Sequence, residues 1–222
     1  MNRRFASTQH SNLLGSRGST WLRADRWRAV RSTSVSLLDR LRGAGPDDPE
    51  WHRLQELYEP LIRRWLCRVP GLGDEVGDLT QEVFLVMVRG IPRFERQREG
   101  SFRAWVRGIT VNVLRSHRRR RFRKPAVRLE PFDAFSDMLA EPSSELAREW
   151  DLDHDRHIFQ KLQEIVRREF APTTWDAFRR FALDGLPAAE VAAELGLSVN
   201  AVTLAKSRIL KRLREEAGDL LK

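Results

Sequence analysis

Cys67 is the only cysteine in 222 residues, which excludes an intrachain disulfide and a cysteine-rich zinc site. It sits in an apolar helical run and is expected as a small buried side chain in a reducing, cytoplasmic setting. No apolar run approaches the roughly 20 residues of a transmembrane helix, so membrane insertion is not expected. Arg3 and Arg4 are followed by no apolar segment, so a secretory leader is not expected. Also missing are a glycine-rich phosphate loop, an H-E-x-x-H pair and a nucleophile elbow. The histidines are scattered at 10, 52, 117, 154 and 157. His154 and His157 lie among Asp151, Asp153 and Asp155 at a spacing that permits metal ligation, but no second ligand cluster accompanies them. No metal, no cofactor and no enzymatic activity are therefore expected.

What the chain has is positive charge. The formal net charge is +9 and the pI about 10.8, which points to a polyanionic partner, nucleic acid before a membrane surface. The charge is clustered: Arg89 to Arg128 holds fourteen Lys or Arg against Glu95 and Glu99. Within this stretch Phe102, Trp105, Val106, Ile109 and Val113 fall at i, i+3, i+4, i+7 and i+11, one apolar stripe of a helix. Ser101 is placed to cap it. The same helix runs into Arg115, Arg118, Arg119, Arg120, Arg121, Arg123 and Lys124 with no acid among them. A helix packed at one end and densely cationic at the other suits a phosphate backbone.

The remaining elements read as helices, giving an all-α chain of two small helical domains joined by a linker. Residues 1–34 are rich in Arg, Ser and Gly and read as a basic, disordered extension. Residues 35–124 form the first domain. Its first segment ends at Gly43, and Pro49 opens a helix with Leu54, Leu57, Tyr58, Leu61, Ile62, Trp65 and Leu66 on one side, interrupted by Pro60. In Asp74–Gly90, Val76, Leu79, Val83, Val86 and Met87 mark an inner face. Asp78, Gln81, Glu82, Leu85 and Arg89 mark an outer face suited to a basic partner helix.

Residues 125–155 read as an acidic linker: from Leu129 to Asp155 there are nine acids against Arg148, with prolines at 125, 131 and 142. Such a strap could shield the basic surface before DNA arrives. Residues 156–222 form the second domain. Thr173 or Thr174 is expected to cap one helix. A short helix over Pro187–Leu195, the turn at Gly196 and a longer helix from Val199, capped by Ser198, have helix-turn-helix spacing. Asn200, Thr203, Leu204, Ser207, Arg208 and Lys211 point away from its core; Asn and Arg can read base edges and Leu can meet a thymine methyl.

In order, Asp78-Leu-Thr-Gln-Glu-Val-Phe84, Phe94, Ser101-Phe-Arg-Ala-Trp105, Ile109-Thr-Val-Asn112 and the arginine run resemble region two of the sigma-70 family. With region four after a linker, the layout resembles the extracytoplasmic-function class, over roughly residues 36–218. The resemblance implies an alternative sigma factor: a non-catalytic, cytoplasmic protein, monomeric when free. It would bind core RNA polymerase and promoter DNA, with an anti-sigma factor as a further possible partner. It implies polymerase contacts at Asp78, Gln81, Glu82, Phe84 and Leu85. It places minus-ten contacts at Phe94, Arg98, Ser101, Trp105, Asn112, Arg115, Arg118, Arg119, Arg120 and Arg121, with an unstacked base taken near Phe94–Ser101. The minus-thirty-five element would be read by the last helix. There the family's usual basic-Ser-basic trio falls at Thr203, Leu204 and Ala205, which leaves the sequence read open; Asn200, Ser207 and Arg208 are the best candidates for direct contact. One rival is a stand-alone helix-turn-helix regulator that binds duplex DNA without polymerase. The other is a nucleic-acid-processing enzyme, which needs a carboxylate or metal cluster that the sequence does not contain.

Overall fold

The computed structural model describes residues 37–45, 47–95, 97, 100–121, 130–218 and 220–221. Among the described residues the regular structure is helical: α1 (Leu37–Arg42), α2 (Pro49–Leu66), α3 (Val76–Gly90), α4 (Ser101–Arg121), α5 (Glu130–Ala140), α6 (Glu145–Arg167), α7 (Pro172–Phe178), α8 (Ala188–Leu195) and α9 (Val199–Ala217). The all-α expectation holds. The basic extension 1–34 lies outside the described residues.

Helix α2 begins where Asp48 accepts the amide of Glu50 and Pro49 supplies a pre-set first turn. Its face of Leu54, Leu57, Tyr58, Leu61, Ile62, Trp65 and Leu66 is fully buried against α3 and α6. Side chains of this size contribute about 1.5–3 kcal/mol each on burial. Cys67 is exposed, contrary to the sequence expectation. The helix ends at Leu66, and Cys67 is the terminal residue whose amide closes onto Arg63 O, so its side chain no longer follows the inner face.

Helix α3 buries Val76, Leu79, Thr80, Val83 and Met87. Val86, expected inward, is exposed. Around the helix, position 86 falls at the margin of the buried strip, between Leu79 and the half-buried Glu82. Helix α4 buries Phe102, Val106, Ile109 and Val113 as its spacing predicts, and adds Arg107, Thr110, Val111 and Leu114. Ser101 is its first helical residue. Trp105 lies over Gly90: a Cβ there would come within 2.6 Å of the indole Cζ2. The end of α3 and the start of α4 can approach only because residue 90 has no side chain.

The acidic stretch holds two helices. The sequence places helical periodicity from about Arg156, yet α6 starts at Glu145, where Ser144 caps it by accepting the amide of Ala147. Ala147, Trp150, His154, His157 and Ile158 form its buried stripe. The acids between them face cations on α2, just past its end, and on α4. Arg64 meets Asp153 at 2.8 Å, Arg68 meets Glu149 at 2.9 Å, and Arg107 meets Asp151 at 2.6 Å. Asp155 takes Arg103 at 2.9 Å. The acids are the outer rim of a core helix, which is why their density reads as a solvated tether in one dimension.

Helix α7 starts with Pro172 after Ala171, so neither Thr173 nor Thr174 is its cap. It widens into a π-helical turn over Arg179–Leu183. Ala177, Val191, Ala192, Val202 and Ala205 form a small second core under α8 and α9. Gly196 takes φ 64°, the left-handed turn that ends α8, and Ser198 caps α9 by accepting the amide of Ala201. The far end of α9 meets the first helices: Glu216, 1% exposed, pairs with Arg40, Arg53 and Arg212 at 3.2, 2.9 and 2.9 Å.

Candidate nucleic-acid and partner interfaces

Three surfaces collect the residues singled out by sequence. The first is the outer face of α3. With Leu79 and Val83 facing in, the helical period turns Asp78, Gln81, Leu85 and Arg89 to water. Leu85 is 51% exposed, and Val86, about a quarter-turn round the helix, is exposed as well. Phe84 is half-buried against the core, so it supports the face from below. Glu82 is also half-buried, because it turns toward α4 and takes Arg120 with both oxygens, at 2.7 and 3.1 Å.

The second surface lies around the start of α4. Phe94, Phe102 and Trp105 pack with ring centroids 5.1–5.3 Å apart. Phe94 is buried in this cluster, and its carbonyl accepts from Arg42 of α1 at 2.6 Å. Above it opens a cavity of about 420 Å³ lined by Arg93, Phe94, Glu95, Gln97, Ser101, Ala104 and Trp105. An aromatic floor with a polar rim is what a single unstacked base requires. Arg98 lies outside the described residues. Asn112 is exposed about two helical turns beyond Trp105.

The basic end of α4 is held on two sides. Arg120 takes Glu82, and Arg121 takes Glu75, which also meets His117 at 3.1 Å. From α5, Asp137 takes Arg115 at 2.8 Å and Asp133 takes Arg118 at 2.7 Å. Arg119 is exposed. Such solvent-facing pairs are worth about 0–1 kcal/mol each, so phosphate oxygens can replace the carboxylates at little cost.

The third surface is α9. Asn200, Thr203, Leu204, Ser207, Arg208 and Lys211 are all exposed on one face, and Leu204 is 44% exposed. The Thr203 hydroxyl donates to its own helix at Val199 O, 3.1 Å, so its methyl points outward with Leu204. Lys206 lies over the ring of Phe181 at 4.7 Å and ties this helix to the π-helical turn.

His154 and His157 are both engaged in packing. His154 bonds Tyr58 and Asp155, and His157 Nε2 donates to Leu57 O at 2.9 Å. Among the described residues no group of three His, Cys, Asp or Glu is placed to hold a metal. Among them, too, no single helix is long and apolar enough to cross a membrane. Sequence reasoning missed the arginines under α6, Arg64, Arg68, Arg103 and Arg107. The alternating acids at 149, 151, 153 and 155 were the available signal.

Residues 54–124 match the family model of sigma-70 region 2. The ECF RNA polymerase sigma factor SigE of Mycolicibacterium smegmatis is 27% identical over 175 residues, covering 78% of this chain and 62% of that relative. The match therefore spans less than two thirds of the relative's length.

Proposed function

We propose that this chain, a member of the sigma-70 family, is an alternative sigma factor of the extracytoplasmic-function class. It docks on core RNA polymerase, carries it to particular promoters and helps to open the minus-ten region. Residues 35–124 serve polymerase and the minus-ten element, and residues 156–222 serve the minus-thirty-five element. On this reading it works in the cytoplasm, is a monomer when free, and contributes binding rather than bond chemistry.

The observation that carries the proposal is the outer face of α3. Asp78, Gln81 and Leu85 stay exposed beside inward Leu79 and Val83, on the segment that matches sigma-70 region 2. An exposed leucine between acids and an amide is a poor solvent face and a good docking face. The cavity over Phe94 and Trp105 is then the place for one unstacked minus-ten base, with Arg115 and Arg118–Arg121 on the duplex upstream. The α9 face reads the minus-thirty-five element, with Asn200 and Arg208 at base edges and Lys211 at phosphate. A stand-alone regulator is not favoured, since it leaves residues 54–124 without a task.

Run-off transcription with purified core polymerase on genomic fragments tests this. Discrete transcripts that need both chain and core are expected. Tight sequence-specific binding to free duplex DNA, with no stimulated transcript, would overturn it.

A further inference from the structure

The acid that meets Arg120 belongs to a different surface from the arginine it holds. Glu82 lies within the α3 docking face, between Asp78 and Leu85, while Arg120 belongs to the basic end of α4. The pair is bidentate, at 2.7 and 3.1 Å, the planar geometry with which a guanidinium also grips phosphate. Both partners keep contact with water, with side chains 55% and 35% exposed, so either can be exchanged without unpacking the core. The other acids on this run differ: Asp133 and Asp137 come from α5, and Glu75 precedes α3.

We propose that the Glu82–Arg120 pair is an exchange point that couples polymerase docking to DNA binding. In the free chain Glu82 neutralises Arg120 and lowers its attraction for a phosphate backbone. When a basic polymerase surface settles on α3, it draws Glu82 away and Arg120 is released to DNA. By linkage the converse also holds: DNA that takes Arg120 frees Glu82 for the polymerase. This inference rests on the reading of α3 as the polymerase-docking face.

The test is duplex promoter DNA binding by the full chain without polymerase, followed by fluorescence anisotropy over a range of salt. Glu82→Gln is expected to bind roughly two- to fivefold tighter than wild type, the size that losing one surface ion pair allows. Its salt slope should steepen by about 0.9, for one more phosphate contact. Glu149→Gln changes the net charge equally but touches Arg68, and is expected to bind as wild type does. If Glu82→Gln fails to fold, Glu82→Asp, too short to keep both bonds, is read in the same assay and should also tighten binding.

Equal affinity of Glu82→Gln and wild type overturns the proposal. So does an equal gain in Glu149→Gln, which would make the effect one of net charge. Co-purification of the wild-type chain with core polymerase separates this from the larger reading. No core binding sinks the sigma-factor assignment, whereas intact core binding with unchanged DNA affinity sinks the exchange alone.

Discussion

Tyr58 Oη and His154 Nε2 lie 3.0 Å apart in the interior, joining α2 to α6 across 96 positions of sequence. On the other side of the ring, Nδ1 lies 3.0 Å from Asp155 Oδ1. A carboxylate accepts, so Nδ1 carries the proton, and Nε2 accepts from the Tyr58 hydroxyl. Burial, together with the charge of Asp155, pushes the Tyr58 phenol well above its ordinary range and keeps it a donor. Arg103 completes the chain by holding Asp155 at 2.9 Å. Tyr58→Phe removes the donor and leaves a buried acceptor unpaired, so we expect a loss of about 1–3 kcal/mol in chemical denaturation. A change below a few tenths would mean that the seam does not hold α6.

The same seam sets an acid sensitivity. Burial lowers the His157 pKa below its ordinary 6.5, and its ring donates to Leu57 O. Well above pH 6.5 folded and unfolded chains carry the same proton count at this residue. As pH falls below 6.5 the unfolded chain takes a proton that the folded chain resists, so stability declines until the depressed folded pKa is reached. Asp153 acts lower. Burial works to raise it, but hydrogen bonds from Arg64 and Trp65 outweigh this and leave it below its ordinary 3.8. Its contribution is present above pH 3.8 and is lost as pH falls through the folded value. Melting temperature should therefore fall on acidification from about pH 7 toward pH 5, and His157→Gln should flatten that slope. An unchanged slope in the variant would refute the assignment.

Gly90 gives a prediction for the cavity proposed to take a base. Glycine to alanine in a helix ordinarily stabilises by up to about 1 kcal/mol. Here the new Cβ would lie 2.6 Å from Trp105 Cζ2, and the indole is wedged between Phe94 and Phe102. The ring cannot swing away cheaply, so the sign reverses. Gly90→Ala should destabilise by about 1–3 kcal/mol in thermal melts. It should also weaken capture of a single-stranded minus-ten oligonucleotide, because Trp105 walls that cavity. Gly108 has open space around its Cβ position, and Gly108→Ala is the control expected to leave both readings unharmed.

How much of this was readable in one dimension depends on what each residue pairs with. The α4 stripe of Phe102, Val106, Ile109 and Val113 and the exposed Asp78, Gln81 and Leu85 follow from helical period alone, a local property. The α9 face and its Ser198 cap are legible for the same reason. The start of α6 is hidden because Ala147, Trp150, His154 and Ile158 are diluted by acids whose counterions lie on or just past α2 and on α4, 44 to 89 positions earlier. Val86 and Cys67 were misplaced by a few tens of degrees of helix face and by one residue of helix end, where pattern is least exact. The Glu82–Arg120 pair has no sequence signal, since it needs α3 and α4 already side by side.

If α9 reads the minus-thirty-five element as proposed, its face separates reading from holding. Arg208 and Asn200 are exposed on the face proposed to meet base edges, and Lys211 sits one turn further along, next to Glu215 at 3.9 Å. A base contact discriminates among sequences, whereas a phosphate contact does not. Arg208→Ala should lower affinity of the polymerase-bound chain for its preferred minus-thirty-five sequence by about 1–3 kcal/mol while barely changing binding to a scrambled one. Lys211→Ala should weaken both alike and reduce the salt slope by about 0.9. Gel-shift titrations of the holoenzyme on paired promoter variants at several salt concentrations measure both. If Arg208→Ala weakened preferred and scrambled sites equally, Arg208 would be a backbone contact, and the reading of sequence would fall to Asn200 and the Thr203–Leu204 methyl edge.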